Sequence, residues 1–216
     1  MSKNIDGIYA FWKPKGISSN GFLNCIRKAC GIRKVGHSGT LDPLAEGILV
    51  VGIGKGTKKL AEQKGSEKEY EAVVRLGVLS STDDEEGEKE EYKFSKRPEK
   101  NDVIDALDSF MGIIDQIPPV YSAIKVKGKE AYKRVRKGEK IKMEPRKAEI
   151  KSVKLLSYEW PFVSFNVVTG PGVYIRSIAR DLGEKLGTGG YLSSLKRIRV
   201  ADFSIKEAVS IDEICG

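Results

Sequence analysis

Apolar and polar positions divide the chain into short elements of both kinds. Gly7–Trp12 is an apolar strand that ends at the turn Lys13-Pro14-Lys15-Gly16. Ser18 or Ser19 caps a helix running to about Ala29, where Gly31 stops it. Phe22, Leu23, Ile26 and Ala29 fall at helical spacing and form its core face. Residues 33–44 are polar and punctuated by glycine, which predicts a loop; Gly47–Ile53 is continuously apolar, which predicts a buried strand. A short helix over 57–63 and a strand over 69–79 follow. An amphipathic helix is predicted over 98–111, with Val103, Ile104, Leu107 and Met111 inward and Gly112 as its stop. Pro118-Pro119 leads into a predicted strand over 120–126, then a short basic helix over 130–137. Two long strands, 148–158 and 162–169, flank a turn at Trp160-Pro161. A helix over 173–186, a strand over 195–200 and a short helix close the chain. Strands and helices mix without regular βαβ spacing, which predicts an α+β fold with a mostly antiparallel sheet. No linker or repeat interrupts it, so one domain is expected over 1–216.

Composition narrows the class. The chain has 216 residues, is 40% hydrophobic and 31% charged, and so can bury a core. No apolar run approaches the ~20 residues that span a bilayer, and the stretch from Met1 to Asp6 lacks the apolar core of a secretory signal. Three cysteines, Cys25, Cys30 and Cys215, make no disulfide framework. Cys25 and Cys30 read as a buried thiol and a helix-end thiol, and a reducing cytoplasm is the expected location.

The net charge of +8 is concentrated. From Ile124 to Lys154 there are 13 Lys/Arg and 4 Glu, an excess of +9 that exceeds the whole-chain value. Such a segment suits a polyanion, whose counterions it would release. Asp83–Glu91 is the reverse, with seven acids and only Lys89; it reads as an exposed turn facing away from the polyanion. It shows no metal-ligand spacing. Gly52-Ile-Gly-Lys55-Gly-Thr57 fails the phosphate-loop spacing, because Gly54-Lys55 is followed by glycine.

Two stretches carry candidate chemistry. In Gly36-His-Ser-Gly-Thr-Leu-Asp42-Pro-Leu-Ala-Glu-Gly47, glycines let the backbone bend closely and Pro43 stiffens it beside Asp42. By chemistry alone Asp42 is equally an Asx-turn residue or a helix cap. In Val173-Tyr-Ile-Arg176-Ser-Ile-Ala-Arg180-Asp181, Arg176 falls in the first turns of a helix, one turn before Arg180. An arginine there can hold a carboxylate bidentately, or face solvent or a phosphate.

Together these blocks resemble the bacterial TruB family of tRNA pseudouridine synthases, in family order and over nearly the whole chain. They are Lys13-Pro-Lys-Gly-Ile-Ser-Ser19, Gly36–Gly47 as above, Gly56-Thr-Lys58, Lys68-Glu-Tyr70, Arg75-Leu-Gly77, Thr82-Asp-Asp-Glu-Glu-Gly87, Gln116–Lys125, Gly128–Tyr132, Gly172–Ser177 and Asp181–Gly187. The resemblance implies the pseudouridine synthase fold, a mixed sheet flanked by helices with a central active-site cleft. It also implies isomerisation of a T-loop uridine of tRNA, uridine 55, to pseudouridine. Asp42 matches the family's catalytic aspartate, Tyr70 the tyrosine stacked on the target base, and Arg176 the arginine paired with the aspartate. His37 matches the histidine that holds the base flipped out. Lys13, Lys58 and Tyr174 fall at motif positions, and Leu195 matches an apolar pocket residue.

The chemistry fits that assignment. One C–N bond is exchanged for a C–C bond on the same base, so no cofactor and no metal are expected. The basic segment 124–154 is expected to act as an RNA-binding lobe, with Lys125, Lys127, Lys129, Lys133, Arg134 and Arg136 on the RNA backbone. The T arm of tRNA is the expected partner, with no membrane and no obligate protein partner, and the protein is expected to be a monomer. Family members often carry a further RNA-binding PUA domain; none is expected within residues 1–216. A non-catalytic tRNA-binding or folding module, or a synthase for another RNA, is the competing expectation.

Overall fold

The computed structural model describes residues 5–63 and 65–216. Part of the N-terminal stretch read above, Met1–Asn4, lies outside the described residues. The chain forms two compact units, one of residues 1–71 and 195–216, the other of residues 72–194.

The first unit begins with β1 (Gly7–Lys13) and α1 (Ser19–Cys30). Ser18 caps α1 by accepting the Gly21 N–H at 3.0 Å, and Gly31 ends it at φ 66°, the left-handed conformation that glycine adopts without strain. Then come β2 (Val35–His37), β3 (Glu46–Ile53), a 3₁₀ segment (Gly54–Lys59) and α2 (Leu60–Gln63). β1 and β2 pair antiparallel with β3. The segment expected to be a loop over 33–44 therefore contains a short strand, too brief for periodicity to reveal.

β3 is buried on both faces, which is why it reads as a continuous apolar run. Leu49, Val51 and Ile53 pack with Phe11 and with Phe22, Leu23 and Ile26 of α1; Ile48 and Val50 pack on the other side with Ala10, Leu60 and Val200. Ala29, expected in the core, is exposed near the end of α1. Cys25 is exposed rather than buried, and Cys30 is bonded to Cys215, with their Cα atoms 4.7 Å apart. That pairing joins residues 185 positions apart, which spacing along the chain does not reveal.

β4 (Lys68–Leu76) passes from the first unit into the second. Gly77, at φ 84°, separates it from β5 (Val78–Ser80), which forms a hairpin with β6 (Lys89–Glu91). α3 (Lys100–Asp108) follows, shorter than predicted. Val103 and Leu107 face inward as expected; because the helix ends before the next turn, Phe110 is buried and Met111 is 52% exposed. β7 (Gly112–Gln116) was not expected. Its isoleucines are exposed or half-buried, so alternation is weak there. The strand expected over 120–126 is reduced to β8 (Lys125–Val126), paired with β9 (Lys129–Glu130), before α4 (Ala131–Val135).

β10 (Arg146–Glu159) and β11 (Phe162–Thr169) pair antiparallel, and β7 pairs antiparallel with β10. α5 (Ile175–Lys185) completes the second unit's helices. β12 (Gly190–Val200) returns the chain to the first unit, where its end pairs parallel with β3. β13 (Phe203–Ser204), β14 (Ala208–Val209), parallel to β1, and α6 (Ile211–Cys215) finish the chain. The fold is α+β with mostly antiparallel pairing, as the pattern predicts. Among the described residues no helix is long and apolar enough to cross a membrane.

Candidate active site

Asp42 lies in the loop between β2 and β3, half-buried, and the backbone on either side of it is anchored. The Ser19 hydroxyl donates to the Leu41 carbonyl and accepts the Leu41 N–H, both at 2.8 Å. The Gly16 N–H donates to the Pro43 carbonyl at 2.8 Å, and the Ala45 N–H to the Asp42 carbonyl at 3.1 Å. Arg197, 2% exposed on β12, donates from Nε to Ile48 O at 2.8 Å and from Nη2 to Gly39 O at 3.1 Å. Its Nη1 lies 3.4 Å from Thr40 O. β12 approaches so closely that a Cβ on Gly47, at φ 119°, would sit 2.2 Å from the Arg197 carbonyl oxygen. Only glycine satisfies both demands at that position.

Two buried lysines share this region. Lys13 is fully buried at the end of β1 and donates to the carbonyls of Pro14 and Ile17, both at 2.8 Å. Burial lowers its pKa to about 8; the Asp42 charge opposes that shift and Arg197 adds to it. Lys68, 8% exposed, donates to Ser66 O at 2.6 Å; burial first and then Arg197 bring its pKa to about 8 as well. Neither Lys68 nor Arg197 was singled out from sequence. Strand parity carries the signal: Lys68 continues the inward positions Tyr70, Ala72, Val74 and Leu76, and Arg197 shares a face with Leu195.

The other expected residues of the first unit are dispersed. Tyr70 is 6% exposed on β4 and Leu195 8% exposed on β12. His37 is half-buried at the end of β2, opposite Val51. Lys58 is exposed on the 3₁₀ segment.

Arg176 belongs to the second unit, one residue into α5 and 5% exposed. Its Nη2 donates to Tyr121 O at 2.9 Å, and its Nη1 lies 3.4 Å from Thr82 O and 3.6 Å from a carboxylate oxygen of Asp84. Asp84 is 3% exposed; it also accepts from the Thr82 hydroxyl and from the Glu86 N–H. Asp83, at φ 60°, pairs with Arg180 at 3.0 Å, and burial raises its pKa against the pull of Arg180 and Arg176. This corrects the reading of 83–91 as an exposed turn. Its glutamates 85, 88, 90 and 91 are exposed, but its first two acids turn inward onto the arginines of α5. Tyr174 caps α5 through its backbone: its N–H donates to Gln116 Oε1 at 2.8 Å and its carbonyl accepts from Gln116 Nε2 at 3.1 Å.

In the basic segment, Lys125, Lys127 and Lys129 are exposed on the β8–β9 hairpin, and Arg136 is exposed just after α4. Lys133 pairs with Glu130 at 3.1 Å, and Arg134 with Glu139 at 2.6 Å. Arg136 and Lys133 both lie over the Tyr132 ring, 5.6 and 5.8 Å from its centre. Among the described residues no cluster of His, Cys, Asp and Glu is grouped to hold a metal.

The fold is shared with solved structures. The chain superposes on a crystal structure of a Cbf5-Nop10-Gar1 complex with a TM-score of 0.73 and 28% identity, over 93% of this chain and 51% of that one. The model of the TruB family pseudouridylate synthase N-terminal domain matches residues 27–175, and that of the tRNA pseudouridylate synthase B C-terminal domain matches residues 176–215. The chain belongs to the TruB family of pseudouridylate synthases, which makes it an isomerase by family.

It is 39% identical to the tRNA pseudouridine synthase B of Thermobifida fusca, over 98% of this chain and 75% of that protein. It is 40% identical to the same-named protein of Syntrophotalea carbinolica, over 97% and 69%. The chain thus spans about half of the solved protein's length and about seven tenths or more of these two relatives.

Proposed function

We propose that the chain isomerises uridine 55 in the T loop of tRNA to pseudouridine, with Asp42 as the essential carboxylate. The observation that carries this reading is the three-sided anchoring of residues 39–43 by Ser19, Gly16 and Arg197. A carboxylate that must engage one atom of a flipped nucleotide gains most from a backbone that cannot drift. The reaction detaches uracil at N1, turns it and rejoins it at C5, with loss of the C5 proton. Asp42 acts either by adding to the substrate or by taking a ribose proton.

In this reading Tyr70 offers the flipped base an aromatic face, Leu195 an apolar wall, and Arg176 the cation of the catalytic set. His37 and Tyr174 help hold the extruded nucleotide, whose unstacking costs a few kcal/mol. Lys13 is expected to act through the Pro14–Ile17 turn, because its ammonium is spent on the carbonyls there. Lys58 and the exposed cations of 124–154 contact phosphates. Residues 1–216 act as the catalytic domain, as a monomer in the cytoplasm.

The test is tritium release from tRNA carrying tritium at uracil C5. Wild type is expected to release it from position 55. Asp42→Asn is expected to lose at least about 10³-fold in rate while still binding the tRNA. Full turnover by that variant would remove Asp42 from its role. Binding without release by the wild type would leave only the RNA-binding module.

A further inference from the structure

We propose that Arg197 is a positioning residue for Asp42, one whose guanidinium sets the path of the loop and so the approach of the carboxylate. The proposal rests on the isomerase reading above and adds a residue to its machinery.

Arg197 spans the loop. Its Nη atoms reach Gly39 and Thr40, before Asp42, while its Nε reaches Ile48 on the strand that follows. A planar fork with donors on two edges can tie two backbone segments at a fixed separation; a lysine's ammonium, a rotating point donor, sets no such fixed geometry. The backbone makes the same link, since Arg197 pairs with Gly47 in parallel register. Leu41 and Pro43 are held from the other side by Ser19 and Gly16.

Stability alone does not explain an arginine here. Among the described residues no carboxylate lies within ion-pair range of it, and its partners are carbonyls. Burying a guanidinium carries a large desolvation cost. A leucine or methionine on the face shared with Leu195 would carry no such cost. The charge is also felt locally, because it depresses the pKa of both Lys13 and Lys68.

The experiment compares wild type, Arg197→Met, Arg197→Lys and Ser19→Ala on T-arm RNA tritiated at uracil C5. Single-turnover rate is read at saturating enzyme and Kd by filter binding. Arg197→Met is expected to lower the rate about 100-fold, with Kd changed less than about threefold and the far-UV spectrum unchanged. Arg197→Lys should recover part of the rate. Ser19→Ala, which releases Leu41 with Arg197 intact, should lose a smaller factor.

A wild-type rate in Arg197→Met overturns the proposal, as does a rate loss matched by an equal loss of affinity. Should the methionine variant not fold, a wild-type rate in both Arg197→Lys and Ser19→Ala overturns it.

A second readout is independent of turnover. Amide exchange across 39–42 should quicken in Arg197→Met, and Lys13 and Lys68, followed by NMR of ¹³C-labelled lysine side chains, should titrate above their wild-type values. Unchanged exchange and titration overturn the proposal. If the wild type itself releases no tritium, the isomerase reading fails, and these two measurements still decide whether Arg197 holds the loop.

Discussion

Arg197 in the first unit and Arg176 in the second are both almost fully buried, yet their surroundings treat the charge differently. Arg176 has the carboxylate of Asp84 beside it, itself 3% exposed, as well as the carbonyls of Thr82 and Tyr121. Among the described residues Arg197 has carbonyls as its partners, and two lysines nearby whose protonation it opposes. One unit neutralises its buried cation with a dedicated acid. The other gathers three buried cations, Lys13, Lys68 and Arg197, around a loop that carries a carboxylate. The second unit's pair links the loop of the β5–β6 hairpin to α5. The first unit's cluster is better suited to holding a backbone and favouring negative charge.

The sharpest way to break this contrast is to remove the neutralising acid. Asp84→Ala leaves Arg176 buried without that carboxylate, and also takes an acceptor from the Thr82 hydroxyl and the Glu86 N–H. The expected loss is about 3 kcal/mol, read as a fall in the urea midpoint at constant m. Asp115→Ala is the control: its pair with Lys147 lies at the surface, so it should cost less than about 1 kcal/mol. Equal effects of the two substitutions would mean that Asp84 is no more a neutralising partner than a surface acid is.

Gly47→Ala probes the other side, where backbone rather than charge holds the loop. The residue sits at φ 119°, and the new methyl would meet the Arg197 carbonyl. A strained φ costs about 1–3 kcal/mol, and β12 has to retreat from β3 to admit the methyl. Stability should therefore fall by about 2 kcal/mol. Amide exchange should quicken at Gly39 to Asp42 and not in β10 or β11. A uniform change across both units would show that Gly47 supports global stability rather than the loop.

How much of this was legible beforehand differs between the units for physical reasons. The Asp42 loop announces itself, since its glycines, proline and adjoining apolar strand are local features. The caps of α1 are equally local, and Ser18 and Gly31 act as their residue types predict. Asp84 was hidden because it stands in a run of like charges, and only tertiary packing decides which member turns inward. Arg197 and Lys68 were hidden because a cation at an inward strand position reads as surface unless parity is followed to the strand's end. β7 was missed because its exposed isoleucines blur the alternation that marks a strand. The Cys30–Cys215 bond joins distant positions, and no spacing rule reaches that far.

The smallest expected effect concerns the lysines and tests the cation cluster by pH. Lys13 and Lys68 have folded-state pKa values of about 8, below the usual lysine value of 10.5, with burial as the main cause. Below pH 8 both are protonated whether the chain is folded or not, and the fold bears the full cost of the buried charges. Between about 8 and 10.5 the folded state binds fewer protons than the unfolded state, so these groups make stability rise with pH. Lys68→Met removes one contribution. Its urea midpoint should exceed the wild-type value at pH 7, and the gap should narrow by pH 9.5. A gap that stays constant across that range would mean Lys68 titrates like a solvated lysine, and the first unit would then hold one buried cation fewer than the comparison with Arg176 requires.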